Sequence, residues 1–286
     1  MSGPLVEASG NTAELQQKIQ LYEAMKRGQE PLWNEPLRGL QGDSAPDASI
    51  KERQKEGFTR NLPVSHLLDA TDYDLQSLRK ALITLVFEVH DLEIDPDAEP
   101  VSLVNGLSEA LDDLIVPILR AEHGYFEELS GRLGVSSMVL SMVAGALLQP
   151  SLMYIASHSD RTYLDAWDRT MCPICGRIPS VAVKSESEVW RFKCQYCLAE
   201  YRMDIFRCPR CGTEGTNSKE FLLVGEGKSF EIALCNECSH YYKILNKDRL
   251  DEPMPEGLED AHTAALDEVA HGKGFVRLDE VKPESS

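Results

Sequence analysis

Eight cysteines, all between Cys172 and Cys238, fall into four pairs of one spacing: Cys172/Cys175, Cys194/Cys197, Cys208/Cys211 and Cys235/Cys238. A Cys-x-x-Cys pair puts two thiolates on one tight turn, and two such turns complete a tetrahedral four-cysteine shell around a metal ion. Four turns therefore predict two ions, with all eight cysteines as ligands. A second regularity orders the turns. Cys172-Pro173-Ile174-Cys175-Gly176 and Cys208-Pro209-Arg210-Cys211-Gly212 are one motif. In it, proline fixes φ after the first ligand and glycine permits the left-handed conformation that closes the knuckle. Cys194-Gln195-Tyr196-Cys197 and Cys235-Asn236-Glu237-Cys238 lack both residues. The order is A-B-A-B, an internal duplication. Each repeat carries a predicted hairpin between its knuckles: Val181–Lys184 with Val189–Lys193 around Ser185–Glu188, and Phe221–Val224 with Phe230–Leu234 around Gly225–Lys228. The first knuckle is expected to pair with the second and the third with the fourth, as tandem ribbons. A cross-braced arrangement, first with third and second with fourth, is the alternative.

Four thiolates leave no open coordination position, so a structural ion is preferred over a catalytic one. Zinc is the favoured metal and iron the alternative, because such a cage accepts either and iron would add one-electron chemistry. Thiol–disulfide exchange is disfavoured: a lone Cys-x-x-Cys beside a βαβ pattern would suggest it, and four knuckles between hairpins do not. Arg177, Arg191, Lys193, Arg202, Arg207 and Arg210 cluster around the cysteines. Screening of the negative metal–thiolate shells is the preferred reading; a docking face for an acidic partner is the sharper one. No catalytic residue is assigned. His90, His158 and His240 lack a nucleophile motif, and His240 is at most a substitute ligand. The acidic run Asp91, Glu93, Asp95, Asp97 and Glu99 reads as a solvated loop, without the glycine and closing glutamate of a calcium hand. No Gly-rich phosphate loop follows a predicted strand, so no organic cofactor is assigned.

The elements that must carry these knuckles are mostly helical. Asn11 with Glu14 reads as a capping box for a helix through about Lys26, after which Pro31, Pro36, Gly39, Gly42 and Pro46 suggest an extended arm. Ile50–Glu56 suggests a helical turn or two. Leu75, Leu78, Leu82, Leu85, Val86 and Val89 repeat at helical spacing, as do Leu103, Leu107, Leu111, Leu114 and Leu119, with Pro117 expected to kink or shorten that helix. Tyr125–Leu133 extends it or stands alone. Met138–Leu148, capped by Ser136, is expected to be the most buried helix, and Pro150 to open the next, which leads through Trp167 into Cys172. Tyr241–Leu245 reads as a last strand and Leu258–Ala270 as a final amphipathic helix.

At 286 residues and a net charge of −18, the chain is too acidic for a general nucleic-acid binder. No segment approaches the roughly 20 uninterrupted apolar residues of a membrane span. The N-terminal residues lack the basic start and apolar run of an export signal. A cytoplasmic protein is therefore expected, with no membrane insertion, in a reducing compartment that favours metal ligation over disulfides.

With these residues laid out, the chain resembles the FdhE-type formate dehydrogenase accessory proteins. The resemblance is carried by Cys172-Pro173-x-Cys175-Gly176-x-x-Pro179, by Trp190-Arg191-Phe192-x-Cys194-x-x-Cys197-x-x-Glu200, by Arg207-Cys208-x-x-Cys211, and by Cys235-x-x-Cys238-x-x-Tyr241-x-Lys243 with Asp248 beyond. It covers about residues 172–250 in detail and the preceding helices loosely; Tyr201 and Tyr242 stand where tryptophan and leucine are expected, and neither is expected to touch the ligands. The resemblance implies a non-enzymatic cytoplasmic helper that binds the catalytic subunit of formate dehydrogenase during its maturation. The alternative is a rubredoxin-like iron protein that passes electrons to that enzyme. The expected fold is α+β: an N-terminal α-helical bundle, tandem rubredoxin-like four-cysteine zinc-ribbon modules and a C-terminal helix. Its expected divisions are 1–60, an N-terminal helix and arm; 61–170, the bundle; 171–250, the ribbons; and 251–286, the last helix and tail.

Overall fold

The computed structural model describes residues 12–33, 46–92, 94, 99–185, 190–215, 219–224, 229–250 and 254–280. Asn11, residues 34–45, most of the acidic run and the tips of both predicted hairpins lie outside the described residues. The chain forms two compact units, one of residues 17–163 with 173–176, the other chiefly of residues 164–172 and 177–286. Residues 17–60 are thus part of the helical unit, and the C-terminal helix is part of the sheet unit.

The helical unit holds α1 (Thr12–Trp33) from residue 17 onward, α2 (Pro46–Arg60), α3 (Leu75–His90), α4 (Pro100–Arg120), α5 (His123–Leu133) and α6 (Ser137–His158). Leucines at helical spacing make its core: Leu82, Leu85, Leu107, Leu111, Leu114 and Leu140 are fully buried. Local chemistry starts the helices where the side chains can satisfy open N–H groups. Asp74 accepts from the Gln76 N–H at 3.1 Å, and Glu99 accepts from the N–H groups of Val101 and Ser102, at 3.2 and 2.6 Å, just ahead of Pro100. Glu99 is therefore a helix cap and not merely part of a solvated loop.

Several helix boundaries differ from expectation, and prolines cause most of the differences. α1 continues to Trp33 even though Pro31 in its last turn has no N–H to donate back along the helix. α2 is a helix of 15 residues that Pro46 begins. Its polar sequence hides its anchors: Ile50 is buried, and the Gln54 amide donates to the Asp160 carbonyl at 3.0 Å while accepting from the Asp160 N–H at 2.7 Å. Pro117 lies within α4, which runs on to Arg120, and α5 is a separate helix. Pro150 does not open a new helix; α6 passes through it to His158. α6 is also long and apolar enough to cross a membrane by length and composition, and 67% of its most apolar window is buried inside the protein, as in a core helix.

The sheet unit follows α7 (Arg161–Ala166). Its strands are β1 (Val181–Lys184), β2 (Arg191–Lys193), β3 (Glu200–Arg202), β4 (Lys219–Val224), β5 (Phe230–Cys235), β6 (His240–Asn246) and β7 (Val276–Arg277), and two short helices, α8 (Glu259–His262) and α9 (Ala264–Gly272), precede β7. Both predicted hairpins form, β1 with β2 and β4 with β5, each antiparallel. The two repeats are not separate plates. β1 pairs in parallel with β6, from Val181 opposite Lys243 to Lys184 opposite Asn246, so all strands join one sheet in the order β3-β2-β1-β6-β5-β4, with β7 beside β6. The strand expected to be the last is its centre, and every residue of β6 is buried. α9 covers one face, where Leu266 and Ala270 pack on Ile232, Leu234 and Tyr241.

Candidate metal centre

The structure gathers the eight cysteines into two groups, Cys172/Cys175/Cys194/Cys197 and Cys208/Cys211/Cys235/Cys238. The pairing is tandem, not cross-braced. Within each group the sulfurs all lie within 4.8 Å of one another. Cys172 and Cys197 are 3.5 Å apart, Cys208 and Cys238 3.7 Å, and Cys211 and Cys235 3.8 Å. Four sulfurs about 2.3 Å from a central ion in a tetrahedron stand about 3.8 Å apart, whereas a disulfide needs about 2.05 Å. None of the eight cysteines is in a disulfide. An all-sulfur donor set at this spacing fits two four-coordinate ions.

One backbone device builds these corners. The N–H groups of Cys172, Cys194 and Cys208 donate to the carbonyls of Arg177, Ala199 and Thr213, five residues on, at 2.8 to 2.9 Å. The N–H groups of Leu198, Gly212 and Ser239 turn back to Cys194, Cys208 and Cys235 at 2.9 Å. The residue after the second cysteine of each pair has positive φ: Gly176 73°, Leu198 62°, Gly212 74° and Ser239 57°. The second and fourth knuckles thus take the glycine conformation without glycine, a local strain that the sequence conceals. In the helical unit, the first knuckle is also held from outside: Val64 N–H donates to the Pro173 carbonyl at 2.9 Å and Ser65 N–H to that of Ile174 at 2.8 Å. A Cβ on Gly176 would stand 3.3 Å from Pro63 and 3.4 Å from His66, so glycine answers both φ and space there.

The two groups differ in exposure. All four cysteines of the first are buried; in the second, Cys211 is exposed and Cys238 half-buried. Burial raises the Cys208 thiol to about 11 and pushes Cys238 up as well. Burial also acts upward on Cys211, but hydrogen bonds from the Thr213 hydroxyl and N–H, and then Cys208 and Cys238, outweigh it and bring the thiol to about 6. Tyr242 is buried with its hydroxyl unpartnered, and burial first, then the charges of Cys208 and Cys235, raise its pKa.

The candidate histidines stay out of both groups. His240 Nδ1 lies 2.8 Å from the Cys238 carbonyl, His158 stacks on Tyr154 with ring centroids 4.0 Å apart, and His90 is in the last turn of α3. The cations divide. The Arg177 guanidinium lies 3.2 Å over the Tyr196 ring, Arg191 is paired with Asp165, and Lys193, almost fully buried, is paired with Glu259 at 2.5 Å. Those three are part of the internal packing. Arg202, Arg207 and Arg210 are exposed.

No family model matches the chain. A protein named FdhE homolog from Aquifex aeolicus is 31% identical over 152 residues, covering 51% of this chain and 52% of that one. FdhE homologs from Yersinia enterocolitica and Pectobacterium carotovorum are 29% and 27% identical over 114 and 112 residues, each match covering 38% of this chain and 36% of the relative. The chain therefore spans about half the length of the Aquifex relative, and less of the others. The crystal structure of the FdhE protein from Pseudomonas aeruginosa has the same fold, with a TM-score of 0.58 at 18% identity over 97% of both chains. The resemblance read from the knuckles and their flanking residues thus holds in sequence over half the chain and in fold over nearly all of it.

Proposed function

We propose that this chain is a cytoplasmic accessory protein for formate dehydrogenase, which holds two sulfur-coordinated ions and binds the enzyme's catalytic subunit during maturation. One observation carries the reading: two four-cysteine groups sit on a single continuous sheet, in a fold shared across its length with an FdhE protein. Its part in maturation is recognition, not catalysis. Metal ligation fixes the four knuckles, the knuckles fix the sheet, and the sheet presents a rigid face to the client. The reducing cytoplasm keeps the thiols available as ligands. Replacing Cys172→Ser together with Cys175→Ser should drop the metal content from two ions to one and abolish co-purification of the catalytic subunit from host extract. Undiminished capture by the one-ion protein would contradict the proposal.

The unequal burial of the two groups gives a second expectation. The ion at Cys208/Cys211/Cys235/Cys238 should pass first to a colorimetric chelator, since Cys211 offers an exposed sulfur for attack; the ion at the buried group should follow in a slower phase of equal amplitude. Cys211→Ser should remove the fast phase alone. A single release phase would show that exposure does not set the order. The same exposure favours a second functional reading, one-electron transfer by iron at the surface centre. Ferric protein with four-cysteine ligation is red and its zinc form is colourless, so colourless, fully loaded protein purified aerobically from its own host would remove that reading.

A further inference from the structure

The second cysteine group opens on a cleft of about 1180 Å³ within the sheet unit, lined by the chain entering the first knuckle, by the start of β2, and by the stretch from Arg202 to Gly212. Its charge runs against that of the molecule. Five arginines, Arg169, Arg191, Arg202, Arg207 and Arg210, face three aspartates in a chain of net charge −18. One aspartate, Asp165, is already paired with Arg191, and another, Asp204, accepts from the Phe206 N–H at 2.9 Å. Arg169, Arg202 and Arg210 are exposed and have no ion-pair partner among the described residues. Screening of a thiolate shell does not require such a set. A concave, locally cationic surface in an acidic protein focuses its field on one place, so an acidic ligand is drawn there and repelled elsewhere.

The walls say what kind of acid fits. Phe206 is 60% exposed, Trp190 is half-buried, and Phe221 packs against Trp190 with ring centroids 6.1 Å apart. Phe221 and Leu223 alternate on β4 and are 41% and 55% exposed, so an apolar surface continues from the cleft. At this size the cleft exceeds the roughly 300–1,000 Å³ of an ordinary small-molecule pocket. Arginine forks hold carboxylates in bidentate pairs, while exposed leucine and phenylalanine reward apolar side chains and offer nothing to a polyphosphate. We propose that this cleft binds a peptide segment of a partner protein in which Asp and Glu alternate with apolar residues. The proposal deepens the preceding one, and rests on it only for which protein presents the segment.

The test uses the full chain with both ions bound, and fluorescence anisotropy of a fluorescein-labelled peptide of Asp, Glu and Leu beside its Asn, Gln and Leu counterpart. The acidic peptide should bind, the neutral one should not, and added salt should weaken binding. Arg202→Glu with Arg210→Glu should weaken it at least tenfold, a loss of about 1.4 kcal/mol. Arg169→Glu, outside the knuckles, should weaken it in the same direction with both ions retained. Equal binding of the two peptides, unchanged binding in both variants, or tighter binding of a labelled oligothymidylate would overturn the proposal. If the arginine variants lose the peptide yet still capture formate dehydrogenase, the cleft stands as an acidic-peptide site and the catalytic subunit is removed as its occupant. If capture is lost by the cysteine variant alone, the accessory reading survives on another face.

Discussion

Removal of both ions under reducing conditions should unfold the sheet unit and leave the helical unit standing. The sheet unit depends on its knuckles for its corners. β2 and β3 are three residues each, and two of its apolar clusters are small, one of Ile232, Leu234, Tyr241, Leu266 and Ala270, another of Val181, Val183 and Leu245. A structural zinc contributes about 10–16 kcal/mol in small peptides, as large as the whole stability of an ordinary domain, about 5–15 kcal/mol. The helical unit instead buries leucines of its own, with Leu82, Leu85, Leu107, Leu111 and Leu114 fully buried. Two of the three tryptophans, Trp167 and Trp190, lie in the sheet unit, and the Trp167 indole donates to the Met171 carbonyl at 2.7 Å, one residue before the first ligand. Chelator with dithiothreitol should therefore shift tryptophan emission to the red while most helical circular dichroism persists. Native emission from metal-free protein would show that the sheet folds without its ions.

What could be read from the sequence was whatever is encoded locally. The Cys-x-x-Cys turns, the paired hairpins and the leucine-rich helices each depend on residues within one turn or one strand pair, and they stand where the spacing puts them. What could not be read depends on partners distant in sequence. The parallel pairing of β1 with β6 joins Val181 to Lys243 and turns two ribbons into one sheet, and no local signal marks it. β3 and β7, three and two residues long, are too short to show a period. Leu198 and Ser239 take positive φ because the metal-ligand turn demands it, against their own preferences. The arginines show the same limit. Sequence places six cations around the cysteines, but only the fold assigns Arg177, Arg191 and Lys193 to internal partners and leaves Arg202 and Arg210 facing a cleft.

Lys243 is the residue whose loss should cost the sheet unit most after the cysteines. It lies fully buried at the centre of β6, with its ammonium 2.7 Å from an Asp260 carboxylate oxygen, 2.8 Å from Asp267, and 3.0 Å from the Asp260 carbonyl. Arg277 on β7 reaches Asp260 at 3.2 Å, and the Tyr241 hydroxyl donates to Asp267 at 2.8 Å. One lysine thus ties α8 and α9 to the sheet. Lys243→Met leaves two carboxylates facing a low-dielectric interior with only Arg277 to offset them, and breaking a buried pair in this way costs about 3–5 kcal/mol. Adding Asp260→Asn and Asp267→Asn to Lys243→Met should restore much of the loss, because the penalty comes from unpaired charge more than from lost attraction. The acid side follows from the same geometry. Burial would raise the Asp260 pKa, but the Lys243 and Arg277 charges outweigh it and hold it below its usual value. A depressed carboxylate contributes stability that is fully present above its unfolded pKa, about 3.9, and lost as pH falls through the folded value. Urea unfolding of the metal-loaded protein should therefore show that this contribution persists at pH 5 and declines only below about pH 4. A Lys243→Met unfolding free energy within about 1 kcal/mol of the parent's would mean that the strand centre is held by packing alone, with the ion network as a bystander.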